Sequence, residues 1–243
     1  NRLDSMGIKY YRTFIPNAQT IYPEKMKTRY AMTIRGNTSR AQQIMSFFDS
    51  MDYSNTIIDH RNIFMEQKSK HKLYLEYDTH WTQWGAYFAY QNILQHMHRD
   101  FAHLHCRSME KFKIEEREIS GGDLVNMMGA KDFNLFKERA SFFYPIDDSM
   151  QYQFVNAKNE LIGSSSNPPT QEIGSIIQTI NSKATNRLKL VVFRDSYGKA
   201  MIPFLSSQFY HVTYIWDDFK YDYLETSKPD LILESRVERY FYK

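Results

Sequence analysis

The chain has 243 residues, 42% of them hydrophobic and 16% aromatic, enough apolar material for one sizeable α/β core. Its 31 basic and 28 acidic residues leave a formal charge of +3, too balanced for a nucleic-acid-binding stripe. A lone cysteine, Cys106, excludes an internal disulfide framework.

No run approaches the roughly 20 apolar residues of a membrane span. Asn1 to Lys9 lacks the apolar core and cleavage site of a signal peptide. The sequence is expected to open inside a helix, with any anchor or signal lying upstream. Ile8 to Ile15 is β-branched and aromatic and stops at Pro16-Asn17, the pattern of a strand entering a turn. A loop with Tyr22-Pro23 follows. Thr38 or Ser39 is placed to cap a helix whose apolar positions Ile44, Phe47, Phe48 and Met51 keep helical spacing, and Thr56-Ile57-Ile58 reads as a short buried strand.

Leu73 to Tyr77 alternates as a strand does and delivers Asp78-Thr79-His80-Trp81 at its end. Tyr87, Tyr90, Leu94, Met97, Phe101 and Leu104 then fall three or four residues apart, the stripe of a helix packed on a sheet. From about residue 112 to 187 the rhythm weakens, and this stretch reads as a smaller inserted segment with strand-like pieces around Phe142 and Phe154 and a loop at Ser164 to Pro169. Leu188 to Phe193 restores the pattern and runs through Arg194-Asp195-Ser196-Tyr197-Gly198 into a helix through Met201 and Leu205. Val212 to Ile215 and Leu231 to Leu233 supply two more strands. Alternating strands and helices with nearly continuous apolar strands imply one α/β domain over 1–243, with a mostly parallel sheet flanked by helices.

Two motifs lie at predicted strand ends, where open α/β sheets place ligands. In an extended Asp78-Thr79-His80 the first and third side chains share a side, with Cα atoms ~6.5 Å apart. Ser196 sits on the passage from a buried strand into a helix whose N-terminus favours developing negative charge. Together they offer a hydroxyl, an imidazole base and an acid that fixes its tautomer. Taken singly, an Asp-Ser after a strand also reads as a helix N-cap, and an Asp-x-His as a loop with local hydrogen bonds.

The sequence resembles the AlgX/AlgJ-type alginate O-acetyltransferases of the SGNH hydrolase-like superfamily, and more loosely the proteins named for an Asp-His-His-Trp motif. The residues that carry the resemblance are Gly7-Ile8 to Ile15-Pro16-Asn17, Ile21-Tyr22-Pro23-Glu24, Tyr77-Asp78-Thr79-His80-Trp81-Thr82 with Gly85-Ala86-Tyr87, and Gly122-Asp123-Leu124. They continue in Val192 to Gly198, Lys228-Pro229-Asp230 and Glu238-Arg239-Tyr240. The resemblance implies an SGNH hydrolase-like fold and a triad of Ser196, His80 and Asp78 that moves an acetyl group, through an acyl-serine, onto hydroxyls of a polysaccharide. It implies an extracytoplasmic location and an acetyl donor supplied through a membrane-bound O-acyltransferase, with no cofactor and no metal. The order of the motifs is the reverse of ordinary SGNH hydrolases. Arg194 stands where a glycine usually precedes Asp-Ser, and the short stretch beyond Ser196 suits the single-domain members. An O-acetylesterase with the same triad and a non-catalytic glycan-binding subunit are the alternatives.

Four further residues carry two readings each. Asn17 is either an oxyanion donor or a turn residue. Trp81 either lines the acceptor groove or packs in the core. Tyr197 either offers its backbone N–H to the oxyanion or buries its ring, and Arg194 either attracts an anionic sugar or braces the nucleophile turn. His96, His98, His103, His105 and Cys106 imitate a metal cluster, yet His96 and His98 point ~200° apart on a helix. Asp123 reads as an N-cap. Glu234, Arg236, Glu238 and Arg239 read as a solvated charged face.

Overall fold

The computed structural model describes residues 2–26, 38, 40–51, 57–131, 135–146, 150–155, 160–165 and 175–240. Ser39, Thr56 and 166–169, which figured in the expected cap, strand and loop, lie outside them. Strands β1 (Lys9–Ile15) and β2 (Ile57–Asp59) come first, and β3 (Phe112–Ser120) and β4 (Lys137–Pro145) form the middle. Then come β5 (Met150–Val155), β6 (Leu161–Ser165), β7 (Ile176–Asn181), β8 (Lys189–Arg194), β9 (His211–Ile215) and β10 (Leu231–Val237). The main sheet has the order β2-β1-β10-β8-β9-β7-β5-β6. Its first five strands are parallel and the last three antiparallel, so the mostly parallel sheet expected from the sequence is present.

The period-two alternation of each strand splits the core in two. Val191, Phe193, Ile215 and Ile232 face one layer, with Leu3 and Leu224 from helices α1 (Arg2–Ser5) and α8 (Asp222–Ser227). Leu190, Val192, Val212, Tyr214 and Leu233 face the other, under α5 (Gln83–Met97) and α7 (Ile202–Gln208). Helix α5 is capped by Thr82, whose hydroxyl accepts from the Gly85 N–H. It buries Tyr87, Phe88, Tyr90, Ile93, Leu94 and Met97, each large apolar side chain contributing roughly 1.5–3 kcal/mol. The expected stripe outruns the helix: Phe101 and Leu104 lie beyond Met97 in a turn, Leu104 still buried. Helices α2 (Ala18–Ile21), α4 (Arg61–Gln67) and α6 (Asp123–Met127) are short. Helix α3 (Arg40–Ser50) forms where expected, but Phe47, and Met51 just past its end, are exposed.

Three expectations change. Residues 73–77 are not a strand, because the Glu76 and Tyr77 N–H groups donate to the Glu138 carboxylate and not to a neighbouring strand; only a single bridge, Tyr74 to Trp81, remains. The stretch 112–187 divides, β3 pairing with β4 in a separate two-stranded sheet while β5, β6 and β7 extend the main one. The charged run after Leu233 is buried rather than solvated: Glu234, Arg236 and Glu238 all lie in the interior.

A buried polar group beside α5 makes the fold acid-sensitive. His60, between β2 and α4, is fully buried, bonded to the Thr13 hydroxyl and to Asn92 and stacked on Phe64. Burial pulls its imidazole from the ordinary 6.5 down to about 3. The unfolded chain therefore binds a proton at this residue below pH ~6.5 that the folded chain does not, so its contribution is complete above that pH and is lost towards pH 3. Urea unfolding should lose up to about 1.4 kcal/mol per pH unit from this group between pH 6 and 4. His60→Gln, less stable at pH 7, should show a shallower slope; an unchanged slope would assign the acid sensitivity elsewhere.

Candidate active site

Three neighbouring strands, β1, β10 and β8, end on one edge of the sheet. Their C-terminal ends deliver Asn17, Glu238-Arg239 and Ser196. Ser196 opens a 3₁₀ turn, Ser196–Met201, that leads into α7. Asp195 caps this turn: Oδ1 accepts from the Tyr197 N–H at 2.9 Å, and Oδ2 accepts from the Val237 N–H at 2.8 Å. Burial pushes its carboxyl up, against those two N–H groups. The aspartate beside the nucleophile thus faces inward and ties β8 to β10.

The second half of the site is a loop rather than a strand end. It closes on itself where Leu75 N–H donates to His80 O at 3.1 Å and Thr82 N–H to Leu73 O at 2.9 Å. It is pinned to β4 by Glu138, which also pairs with Lys72 at 2.8 Å. Asp78-Thr79-His80 forms its tip. There His80 Nε2 lies 2.8 Å from Ser196 Oγ, 116 residues away in sequence, and Nδ1 lies 2.7 Å from Asp78 Oδ1. The structure therefore brings Ser196, His80 and Asp78 into one hydrogen-bonded chain. Asp78 Oδ1 also accepts from the His80 backbone N–H at 3.1 Å. Burial pushes the Asp78 carboxyl up, but hydrogen bonds and charge from His80 outweigh it and hold it below its usual value. Asp78 is thus ionised at neutral pH, and its oxygen fixes the Nδ1–H tautomer that leaves Nε2 to accept from the serine.

Trp81 packs in the core, its Nε1–H donating to Tyr197 O at 2.9 Å, so it does not line an open groove. The Tyr197 N–H, expected as an oxyanion donor, is instead engaged by Asp195 Oδ1 and does not serve that role. Its ring is buried 4.9 Å from His80, with its hydroxyl donating to Thr79 O. Arg194 is buried, its guanidinium 4.8 Å from the Trp216 ring and its Nη1 donating to Asp195 O at 3.0 Å. Burial draws it down to about 10. It braces the turn and is out of reach of a sugar anion. Asn17 is partly buried, with Oδ1 accepting from Arg239 Nη1 at 3.3 Å, which leaves its NH₂ as the donor end. In the histidine group, His96 and His98 donate Nδ1–H to the Asn92 and Leu104 carbonyls.

Sequence reasoning missed three contributors. Arg239, read as a surface charge, donates to the Tyr197 hydroxyl at 3.1 Å and stacks 5.0 Å over its ring. Glu238 accepts from the Asn17 N–H at 2.9 Å and from the Thr20 hydroxyl at 2.6 Å. Glu138 pins the His80 loop from a hairpin read only as strand-like. The signal available for the first two was position, immediately past an apolar strand. Asp123 is not the N-cap, a place taken by Gly122.

The SGNH hydrolase-like domain of acetyltransferase AlgX, as a family model, matches residues 1–175. The chain belongs to this family. The matched stretch takes in Asp78 and His80 and stops short of Ser196. No curated protein matches the chain. Among solved structures, a DHHW family protein from Eubacterium siraeum DSM 15702 superposes with a TM-score of 0.74 at 16% identity, over 95% of this chain and 78% of that one. Bacillus cereus PatB1 gives 0.67 at 14% over 96% and 84%. The O-acetyltransferase domain of Pseudomonas putida AlgJ gives 0.56 at 16% over 98% and 77%. At these identities the likeness is one of fold, an SGNH hydrolase-like α/β domain.

Gly122 gives a direct test of the geometry. A Cβ there would lie 1.8 Å from Asp78 Oδ2, so any side chain must displace the carboxylate that holds His80. Because misplacement by ~1 Å costs up to ~10²-fold, Gly122→Ala should slow labelling of Ser196 by a fluorophosphonate at least about tenfold, while circular dichroism stays unchanged. Labelling at the parental rate would show that the loop absorbs the clash.

Proposed function

We propose that this protein is a serine-dependent O-acetyltransferase that moves an acetyl group onto hydroxyls of a cell-envelope or extracellular polysaccharide. The observation that carries the reading is the Ser196–His80–Asp78 chain, with contacts of 2.8 and 2.7 Å, in a member of an acetyltransferase family. His80 Nε2 takes the Ser196 proton as Oγ attacks the acetyl carbonyl, and gives it to the departing donor group. It then takes the proton of a sugar hydroxyl that attacks the acyl-serine and returns that proton to Ser196. The imidazolium formed at each step lies against the ionised Asp78. The Asn17 NH₂, just past the end of β1 and linked through Arg239 to Tyr197, is the donor we assign to the oxyanion, a contribution of about 2.7–4 kcal/mol where such donors have been removed.

The resemblance to AlgX and AlgJ supports an extracytoplasmic setting and a donor delivered through a membrane-bound O-acyltransferase. Among the described residues no helix is long and apolar enough to cross a membrane. The partly exposed Ser196 and His80 suit an acceptor as large as a glycan chain.

The test uses an activated acetyl ester and candidate oligosaccharides, with mass spectrometry of protein and sugar. Acetylated sugar should form faster than free acetate, and an acetyl adduct should appear on Ser196. Ser196→Ala should abolish both with the fold intact, and His80→Ala should lower adduct formation by about 10²-fold or more. Acetate alone with every acceptor would make the protein an esterase. Transfer unaffected by Ser196→Ala would discard the triad in favour of a glycan-binding subunit.

A further inference from the structure

Gly122-Asp123-Leu124 is the motif that the mechanism leaves unused, and the structure sets it against the His80 loop. The Gly122 N–H donates to Tyr77 O at 3.0 Å. Gly122 approaches Asp78 so closely that a Cβ there would lie 1.8 Å from its Oδ2, and a Cβ on Gly121 would come within 3.1 Å of the Tyr77 Cβ. This docking carries Asp123, first residue of α6, to Thr79, whose hydroxyl donates to Oδ2 at 2.7 Å. The same Oδ2 lies 3.6 Å from His80 Nδ1. Asp78, His80 and Asp123 thus bring one donor atom each within 4.8 Å of one another.

We propose that Asp123 is a second carboxylate partner of His80 Nδ1, a positioning residue that shares with Asp78 the orientation and charge balance of the imidazole. It rests on the reading of His80 as the base. Nδ1–H is bonded to Asp78 and faces Asp123 less than 1 Å beyond hydrogen-bond range, so a small shift of the tip hands the proton from one acceptor oxygen to the other without its leaving nitrogen. The other groups facing the ring are the Tyr197 aromatic ring and, one step behind it, Arg239. The imidazolium formed when Nε2 accepts the Ser196 proton therefore lies between two carboxylates. Asp123 is the more exposed of the two, which makes it the weaker partner and the one able to move. Thr79, between the two triad residues of the loop, is the side chain that keeps it in place.

Asp123→Asn keeps an acceptor for the Thr79 hydroxyl and removes the charge, whereas Asp123→Ala removes both. The readings are the rate of Ser196 labelling by a sulfonyl fluoride, split into affinity and maximal rate, and the low-field proton resonance of His80 Nδ1–H. Asp123→Asn should lower the maximal rate roughly 3- to 10-fold with unchanged affinity. In an Asp78→Ala background, or Asp78→Ser if the alanine variant does not fold, the same substitution should cost more than it does in the parent. The low-field resonance should survive loss of Asp78 and vanish when both acids are gone. If Asp123→Asn matches the parent in rate and resonance, in both backgrounds, while Asp123→Ala alone is slow, Asp123 is only an anchor for Thr79 and the proposal falls. The resonance needs no acylation, so a parent protein with an unreactive Ser196 but the expected resonance pattern would overturn the transferase reading while upholding Asp123 as a partner of His80 Nδ1.

Discussion

Tyr197 is the contact on which the site depends. A 2.8 Å approach between groups 116 residues apart requires that the His80 loop and the β8 turn move as one body, and Tyr197 joins them at both ends. Its carbonyl receives Trp81 Nε1–H and its hydroxyl donates to Thr79 O, so the residues on either side of His80 are both fastened to the residue after Ser196. These partners are buried or nearly so, where a hydrogen bond contributes about 1 kcal/mol and an orphaned partner costs about 1–3. Arg239 over the ring extends the clamp to β10 and, through Asn17, to β1. Three strand ends and one loop are thereby held to a common centre.

Around that centre, carboxylates do the work that a regular backbone would otherwise do. Loops at strand ends leave N–H groups without ladder partners, and buried ones must be satisfied. Asp195 takes those of Tyr197 and Val237, Glu138 those of Glu76 and Tyr77, and Glu238 that of Asn17. Each acid is spent on the backbone that presents a functional side chain. Asp78 differs in that its oxygen also reaches an imidazole. Arg194 fits the same scheme: its guanidinium holds the Asp195 carbonyl from inside. The room it needs comes from Gly198, where a Cβ would lie 2.7 Å from the Arg194 side chain. The Ser196 turn is thus built from a bulky buried cation before it and a bare backbone after it.

The parallel strands were legible because their two-sided burial writes itself as near-continuous apolar runs, Leu190 to Phe193 and Leu231 to Leu233 being the plainest. The Ser196 motif was legible because it follows such a run, whereas Asp78-Thr79-His80 stood out by following a segment with the strand period that the fold turns into a loop. Residues 73–77 misled because their alternating side chains have the strand period, while the partner that takes their N–H groups is a glutamate some 60 residues away, invisible to any local pattern. Glu234 to Arg239 misled for a related reason. Charge in a sequence ordinarily means solvent, and only the fold reveals that Glu238 and Arg239 are turned onto Asn17 and Tyr197. Tyr197 itself carried the wrong atom: its N–H was the natural candidate beside Ser196, but a capping aspartate two residues upstream competes for that N–H and wins.

The same geometry bears on what decides between transfer and hydrolysis. His80 and Asp78 retain about a quarter and a fifth of their side-chain exposure, so nothing among the described residues walls the base off from water. An acyl-serine formed there would meet water at ~55 M unless another hydroxyl held the position over Nε2, and effective molarities of 10⁵–10⁸ M are what a well-oriented neighbouring group supplies. Under the proposed transfer, an acceptor bound in place would outcompete water by orientation, without a closed pocket. The burden of selectivity would then fall on acceptor binding and on the rigidity of the Tyr197 clamp. A chain that loses its acceptor surface but keeps Ser196, His80 and Asp78 would become an esterase with no change in its chemistry.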